Sequence, residues 1–172
     1  FRSDKLVLSP GAKAIVPPIK GIEDVNVFTV RNVVDIAKLD SFIKDNNSKN
    51  ISVIGGGFIG VEVAENLHEA GYNVTLIEAM DQIMKPFDYD MVQVLHKEMY
   101  DKGVNLIVGD KVSSFESGKV VLESGKKINS DAVVMAIGVA PETDLAREAG
   151  LEIGQTGAIK VNQNYLDRKS VV

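Results

Sequence analysis

The residues best suited to chemistry form a short glycine-rich run, Gly55-Gly56-Gly57-Phe58-Ile59-Gly60, which fits the spacing G-x-G-x-x-G. The pattern alone says little; its setting says more. It follows Ile51 to Ile54, an apolar run broken only by Ser52, and it opens a helix-like segment from Phe58 to Ala70 that stops at Gly71. In such a turn Gly55 permits the tight bend, Gly57 lets the backbone approach a pyrophosphate, and Gly60 lets the helix pack closely on the strand. The pyrophosphate would sit on the free N–H groups at the start of this helix, and Ile59, inside the motif, is counted with the glycines as a candidate cofactor-binding residue. The alternative is a glycine-rich strand-to-helix turn without a ligand.

Three further residues bear on this site. Glu78 ends the next apolar run, about 20 residues after the motif, where a carboxylate accepts hydrogen bonds from ribose hydroxyls and repels the extra phosphate of NADP. No Arg or Lys follows before Lys85, so the choice falls on NADH over NADPH; an exposed loop carboxylate is the alternative. Glu62 shares a helix face with Glu65 and Glu69, which reads equally as a solvated stripe or as an acid placed close to a bound diphosphate. Gly138, in Ala136-Ile137-Gly138-Val139-Ala140-Pro141, ends a buried strand, where a loop either borders the ligand or simply turns.

The elements needed to position these residues are legible around them. Lys5 to Ser9 reads as a short strand stopped by Pro10-Gly11, and the prolines of Ile15 to Gly21 make that stretch an extended linker. Val33, Ile36, Ala37, Leu39 and Phe42 or Ile43 recur at helical spacing, ended by Asp45-Asn46-Asn47-Ser48. Asn73 to Ile77 is a second strand. Asp88 is placed to cap a helix running to about Asp101, with Met91, Val94, Leu95 and Met99 on one face and Gly103 beyond its end. Val104 to Val108 is a third strand. Val112 to Phe115, Lys119 to Leu122 and Lys126 to Ile128, joined by Ser-Gly turns, predict a three-stranded antiparallel meander, and Asp131 to Ile137 another buried strand. Gly150 to Val161 alternates in short pieces, and Leu166 to Val172 carries no clear signal. The fold class is α/β: a Rossmann-like FAD/NAD(P)-binding domain with a parallel sheet, flanking helices and the meander.

Composition narrows the chemistry. The 172 residues carry 19 Lys plus Arg against 24 Asp plus Glu, a net charge of −5 that argues against a nucleic-acid partner. No apolar stretch approaches a membrane span, and Phe1-Arg2-Ser3-Asp4 lacks the core of a signal peptide, so the expected location is cytoplasmic. Cysteine is absent and histidine is limited to His68 and His96, so no thiolate chemistry and no metal site are expected. Redox chemistry here would belong to a bound cofactor.

Together these segments resemble the pyridine nucleotide-disulfide oxidoreductase family, in the branch of NADH oxidase, NADH peroxidase and coenzyme A disulfide reductase. The carrying residues are Asp4 to Ala12, Ile54 to Glu62, Val74 to Asp90 with Pro86 and Asp88, and Ala136 to Pro141. The resemblance implies an NADH domain inserted between two halves of an FAD domain, so this chain reads as a fragment. Residues 1–45 would be an FAD-domain strand remnant, linker and lead-in helix, 46–165 the NADH-binding domain, and 166–172 a tail. By the same resemblance Phe58 matches an aromatic gating the nicotinamide pocket, Glu62 the acid near the nicotinamide, and Gly138 a glycine lining it. The family's first FAD glycine motif, its redox-active cysteine, its later Gly-Asp flavin motif and its C-terminal dimerisation domain have no counterpart here. The parent is therefore expected to be a homodimeric flavoprotein passing electrons from NADH through FAD to oxygen, peroxide or a disulfide, and the fragment alone to be inactive. A non-enzymatic NAD(H)-binding or sensing module is the second reading. A self-contained dehydrogenase with a very small substrate site is a third, disfavoured reading.

Overall fold

The computed structural model describes residues 4–167. These residues fall into two units, residues 14–138 and a second made of the two flanking segments.

The larger unit is built on a five-stranded sheet. Its strands are β2 (Val27–Thr29), β3 (Asn50–Ile54), β4 (Asn73–Glu78), β5 (Asn105–Val108) and β9 (Ala132–Met135), in the order β2-β9-β3-β4-β5 and all parallel. Central strands of a parallel sheet are covered on both faces, which is why β3 and β9 are nearly continuous apolar runs. Alternate residues then serve two cores. Val53, Leu76 and Val134 face helices α1 (Val33–Asp45), α2 (Phe58–Glu69) and α3 (Tyr89–Lys102), through Leu39, Ile43, Ala64, Val92 and Met99. Ile54, Ile77 and Val133 face the antiparallel meander of β6 (Val112–Glu116), β7 (Lys119–Leu122) and β8 (Lys127–Asn129), through Phe115, Val120 and Leu122. Val53, Leu76, Val133 and Val134 are fully buried, each stabilising the fold by about 1.5–3 kcal/mol. The expected Rossmann-like architecture is present, with helices on one face of the sheet and the meander on the other.

The smaller unit carries Ala12 and Lys13 of β1 (Ala12–Ala14) and their ladder partner β10 (Val139–Pro141), followed by the short helix α4 (Asp144–Glu148). Lys13 pairs there with Asp144 at 3.1 Å and Glu142 at 3.5 Å. The alternating segment after α4 closes on a single bridge between Ile153 and Ile159. Residues 168–172 of the expected tail lie outside the described residues.

Four expectations need correction. Lys5 to Ser9 forms no strand, and Leu6 and Val7 are exposed; an apolar run becomes a strand only where a ladder partner exists, and β10 meets residues 12–14 instead. The first turns of α1 leave Val33, Ile36 and Ala37 exposed, so its packing comes from Leu39, Ile43 and the half-buried Phe42, whose ring lies 5.1 Å from that of Phe28. In α3 the buried stripe is Val92, His96 and Met99, while Met91 and Val94 face outward. The sequence offers apolar residues on two sides of this helix, and the bond from Ile83 N–H to His96 Nε2 (3.3 Å) belongs to the side that is chosen. Asp88 occupies the N-cap position of α3, but its side chain makes no cap bond.

Candidate functional site

The site begins where β3 ends. Gly55 takes φ +109°, a conformation that side chains resist, and a Cβ there would lie 2.5 Å from the carbonyl oxygen of Ala136. Its N–H donates to Ile77 C=O (2.8 Å), while Ala136 N–H donates to Ile54 C=O (2.8 Å), so the bend is stitched to both neighbouring strands. Gly60, in the first turn of α2, would drive a Cβ to 1.8 Å from Gly55 C=O, which explains the close approach of helix and turn. Gly57 differs. It is the N-cap of α2 at φ −77°, no side chain caps the helix, and a Cβ there would meet nothing within 4 Å. The protein leaves that space open above first-turn N–H groups that have no intrahelical acceptor. Uncapped donors at the positive end of a 12-residue helix suit an anion.

Glu78 closes the other side. Its Oε2 accepts from Gly56 N–H at 2.6 Å and its Oε1 from Met80 N–H at 2.8 Å. Both oxygens are thereby fixed, and each keeps a free lone pair for a hydroxyl donor.

Between these groups lies a cleft of about 560 Å³. Its walls include Ile54, Ile77 and Met135 at the carboxyl ends of β3, β4 and β9, with Phe58 and Met80 at its edge. The chain runs from β3 to β4 on one side and returns as β9 on the other, so the cleft sits where strand order reverses, the usual ligand position in such sheets. Of the residues singled out from sequence, Gly55, Gly57, Phe58, Ile59, Glu78 and Gly138 line it. Gly138 takes φ +113°, and its carbonyl accepts from Ile15 N–H at 3.0 Å. Phe58 is exposed and meets Phe87 edge-on at 5.9 Å. Gly60 acts behind the cleft through packing. Glu62 is an exposed residue of α2 outside the cleft wall. Among the described residues no group of three or more His, Cys, Asp or Glu could hold a metal, and no helix is long and apolar enough to cross a membrane.

Two contributors escaped sequence reasoning. Gly56 is buried, donates to Glu78, and would place a Cβ 2.5 Å from Ile83 Cγ2; its position inside the motif was the available signal. Lys111 also lines the cleft, and nothing in the local sequence marks it.

The sequence matches the description of pyridine nucleotide-disulphide oxidoreductases over residues 1–171. The chain belongs to that family. Among family members, the NADH oxidase of Enterococcus faecalis is 37% identical over 166 residues, covering 93% of this chain and 36% of the oxidase. The solved structure of reduced CoADR-RHD from Bacillus anthracis is 45% identical with a TM-score of 0.88, covering 92% of this chain and 29% of that one. The water-forming NADH oxidase from Lactobacillus brevis, solved bound to NADH, is 33% identical with a TM-score of 0.85, covering 97% of this chain and 37% of that one. The chain thus spans roughly a third of the length of these family members. The solved neighbours agree with the Rossmann-like fold described above.

Proposed function

We propose that this chain is the NADH-binding domain of a flavin-dependent oxidoreductase. The observation that carries the reading is the pairing of an open, uncapped helix start at Gly57 with the fixed carboxylate of Glu78 across one cleft. The N–H groups of the Gly57–Ile59 turn would hold the diphosphate, and Glu78 would accept the adenosine ribose hydroxyls. Bound NADH supplies a hydride; the residues of this chain supply its position and electrostatics. Phe58, exposed at the edge, would cover the nicotinamide end, and Gly138 would let backbone approach it closely. Glu62 would stand near that end as an acid, a role drawn from the family resemblance. In the parent, electrons would pass to FAD held by segments outside this chain, and onward to oxygen, peroxide or a disulfide. A homodimeric parent and an inactive isolated chain belong to the same reading.

The test is a titration of the purified chain with NADH and NADPH, followed by nucleotide fluorescence. Saturable NADH binding, weaker NADPH binding, and a reversed preference in Glu78→Arg are the expected results. Equal affinity for both nucleotides in wild type and variant would remove Glu78 from the ribose site.

A further inference from the structure

The local sequence supplies no free cation near Glu78, since Lys85 is engaged by Asp81 at 2.9 Å. The fold brings one from elsewhere. After β5, Gly109 at φ +71° turns the chain across the end of β4. Gly109 N–H donates to Met80 C=O at 2.7 Å, and Asp110 N–H to Glu78 C=O at 3.4 Å. The next residue, Lys111, therefore joins Glu78, Ala79 and Met80 in the cleft wall. Among the described residues its ammonium has no ion pair, which is also true of Lys20, Lys38, Lys49 and Lys126, but of these only Lys111 lines the cleft. The neighbouring Asp110 carboxylate is occupied by the N–H and Oγ of Ser124.

We propose that Lys111 is a second determinant of nucleotide choice: it attracts the 2'-phosphate of NADPH at the strand end where Glu78 repels it. The inference rests on the cleft being a nucleotide site. With the diphosphate at the Gly57 helix start and the ribose hydroxyls at Glu78, Lys111, a cleft-wall residue tied to that strand end through its neighbour Asp110, belongs to the adenosine side. The added group there in NADPH is a phosphate monoester carrying nearly two negative charges, and NADH has no anion at that position. Discrimination is then a balance of two opposite charges, with Glu78 setting the preference and Lys111 keeping it shallow. An exposed pair of this kind is sensitive to salt.

The experiment uses the full 172-residue chain as wild type, Lys111→Gln and Lys111→Arg, titrated with NADH and NADPH at low and high salt. AMP and adenosine 2',5'-bisphosphate serve as probes of the adenosine half alone. Lys111→Gln is expected to weaken NADPH and the bisphosphate by about five-fold, to leave NADH and AMP within about two-fold, and to lose this effect at high salt. Lys111→Arg should bind as wild type. An unchanged NADPH affinity in Lys111→Gln overturns the assignment. Equal weakening of NADH and NADPH overturns it as well, placing Lys111 on a group common to both. If wild type binds neither nucleotide nor either adenosine probe, the cleft reading itself fails and takes the inference with it.

Discussion

Gly57→Ala separates the fold's need for glycine from the ligand's. At φ −77° and ψ −175° alanine is unstrained, and its Cβ meets nothing within 4 Å. Restricting the unfolded chain stabilises by about 0.4–1 kcal/mol, while alanine is a poorer N-cap than glycine by a similar amount. The two effects leave stability within about 0.5 kcal/mol of wild type. Gly55→Ala makes the contrast: φ +109° and a Cβ 2.5 Å from a backbone oxygen of the adjoining strand end leave nothing flexible to yield. Left-handed strain of about 1–2 kcal/mol and overpacking of about 1–3 give a loss of roughly 2–5 kcal/mol. That corresponds to a Tm lowered by about 5–15 °C for a chain of this size. For binding, the Gly57→Ala methyl stands between the helix N–H groups and the diphosphate. Losing one or two charge-assisted hydrogen bonds at about 1.5 kcal/mol each weakens NADH by roughly 10- to 100-fold. Urea denaturation and nucleotide titration of both variants test the pair. A folded Gly57→Ala that binds NADH as tightly as wild type refutes the cradle, and one that unfolds like Gly55→Ala refutes the claim that the space is open.

Three further outcomes follow from the packing. Burial holds the His96 imidazole below its ordinary value, favouring the neutral form that accepts from Ile83 N–H. The unfolded chain then binds more protons, so stability should be complete above about pH 6.5 and fall as pH drops below it; His96→Gln should flatten this limb in urea melts between pH 7.5 and 5. Asp131 Oδ2 accepts from Asn50 N–H at 2.8 Å and Lys49 N–H at 2.9 Å, and these bonds hold its carboxyl below the ordinary aspartate value of 3.8. Its contribution is present above that value and lost as pH falls through the lowered one, so Asp131→Ala should cost about 1–2 kcal/mol at pH 7 and less in strong acid, read by denaturant midpoints. Leu76→Ala, at a fully buried position of β4, should cost about 2–5 kcal/mol by the same measurement, and a smaller loss would mean that the sheet relaxes around the cavity.

Much of the architecture was written locally. The run Ile51–Ile54 is apolar on both faces because β3 lies between β9 and β4, and that same pattern marks a central parallel strand in sequence. The Ser117-Gly118 and Ser124-Gly125 turns predicted the meander because hairpin turns demand particular residues. Where the misreadings arose, local pattern underdetermined the partner. Lys5 to Ser9 has the composition of a strand without a ladder, and α3 carries apolar residues on more than one side, so only its docking chooses Val92, His96 and Met99.

The site divides along the same line. Sequence determined the glycine turn, since the backbone conformation of Gly55 and the tight contact of Gly60 exclude other side chains, and it determined that an acid follows at the end of the next strand. Tertiary structure decided what that acid does, because the bonds to Gly56 and Met80 fix Glu78 beside the motif only once β4 lies against β3. It also decided the arrival of Lys111, carried to the cleft by the turn at Gly109 from a segment remote in sequence. A local pattern records which conformations a chain tolerates; the electrostatics of a cleft depend on charges that meet only after the chain has folded.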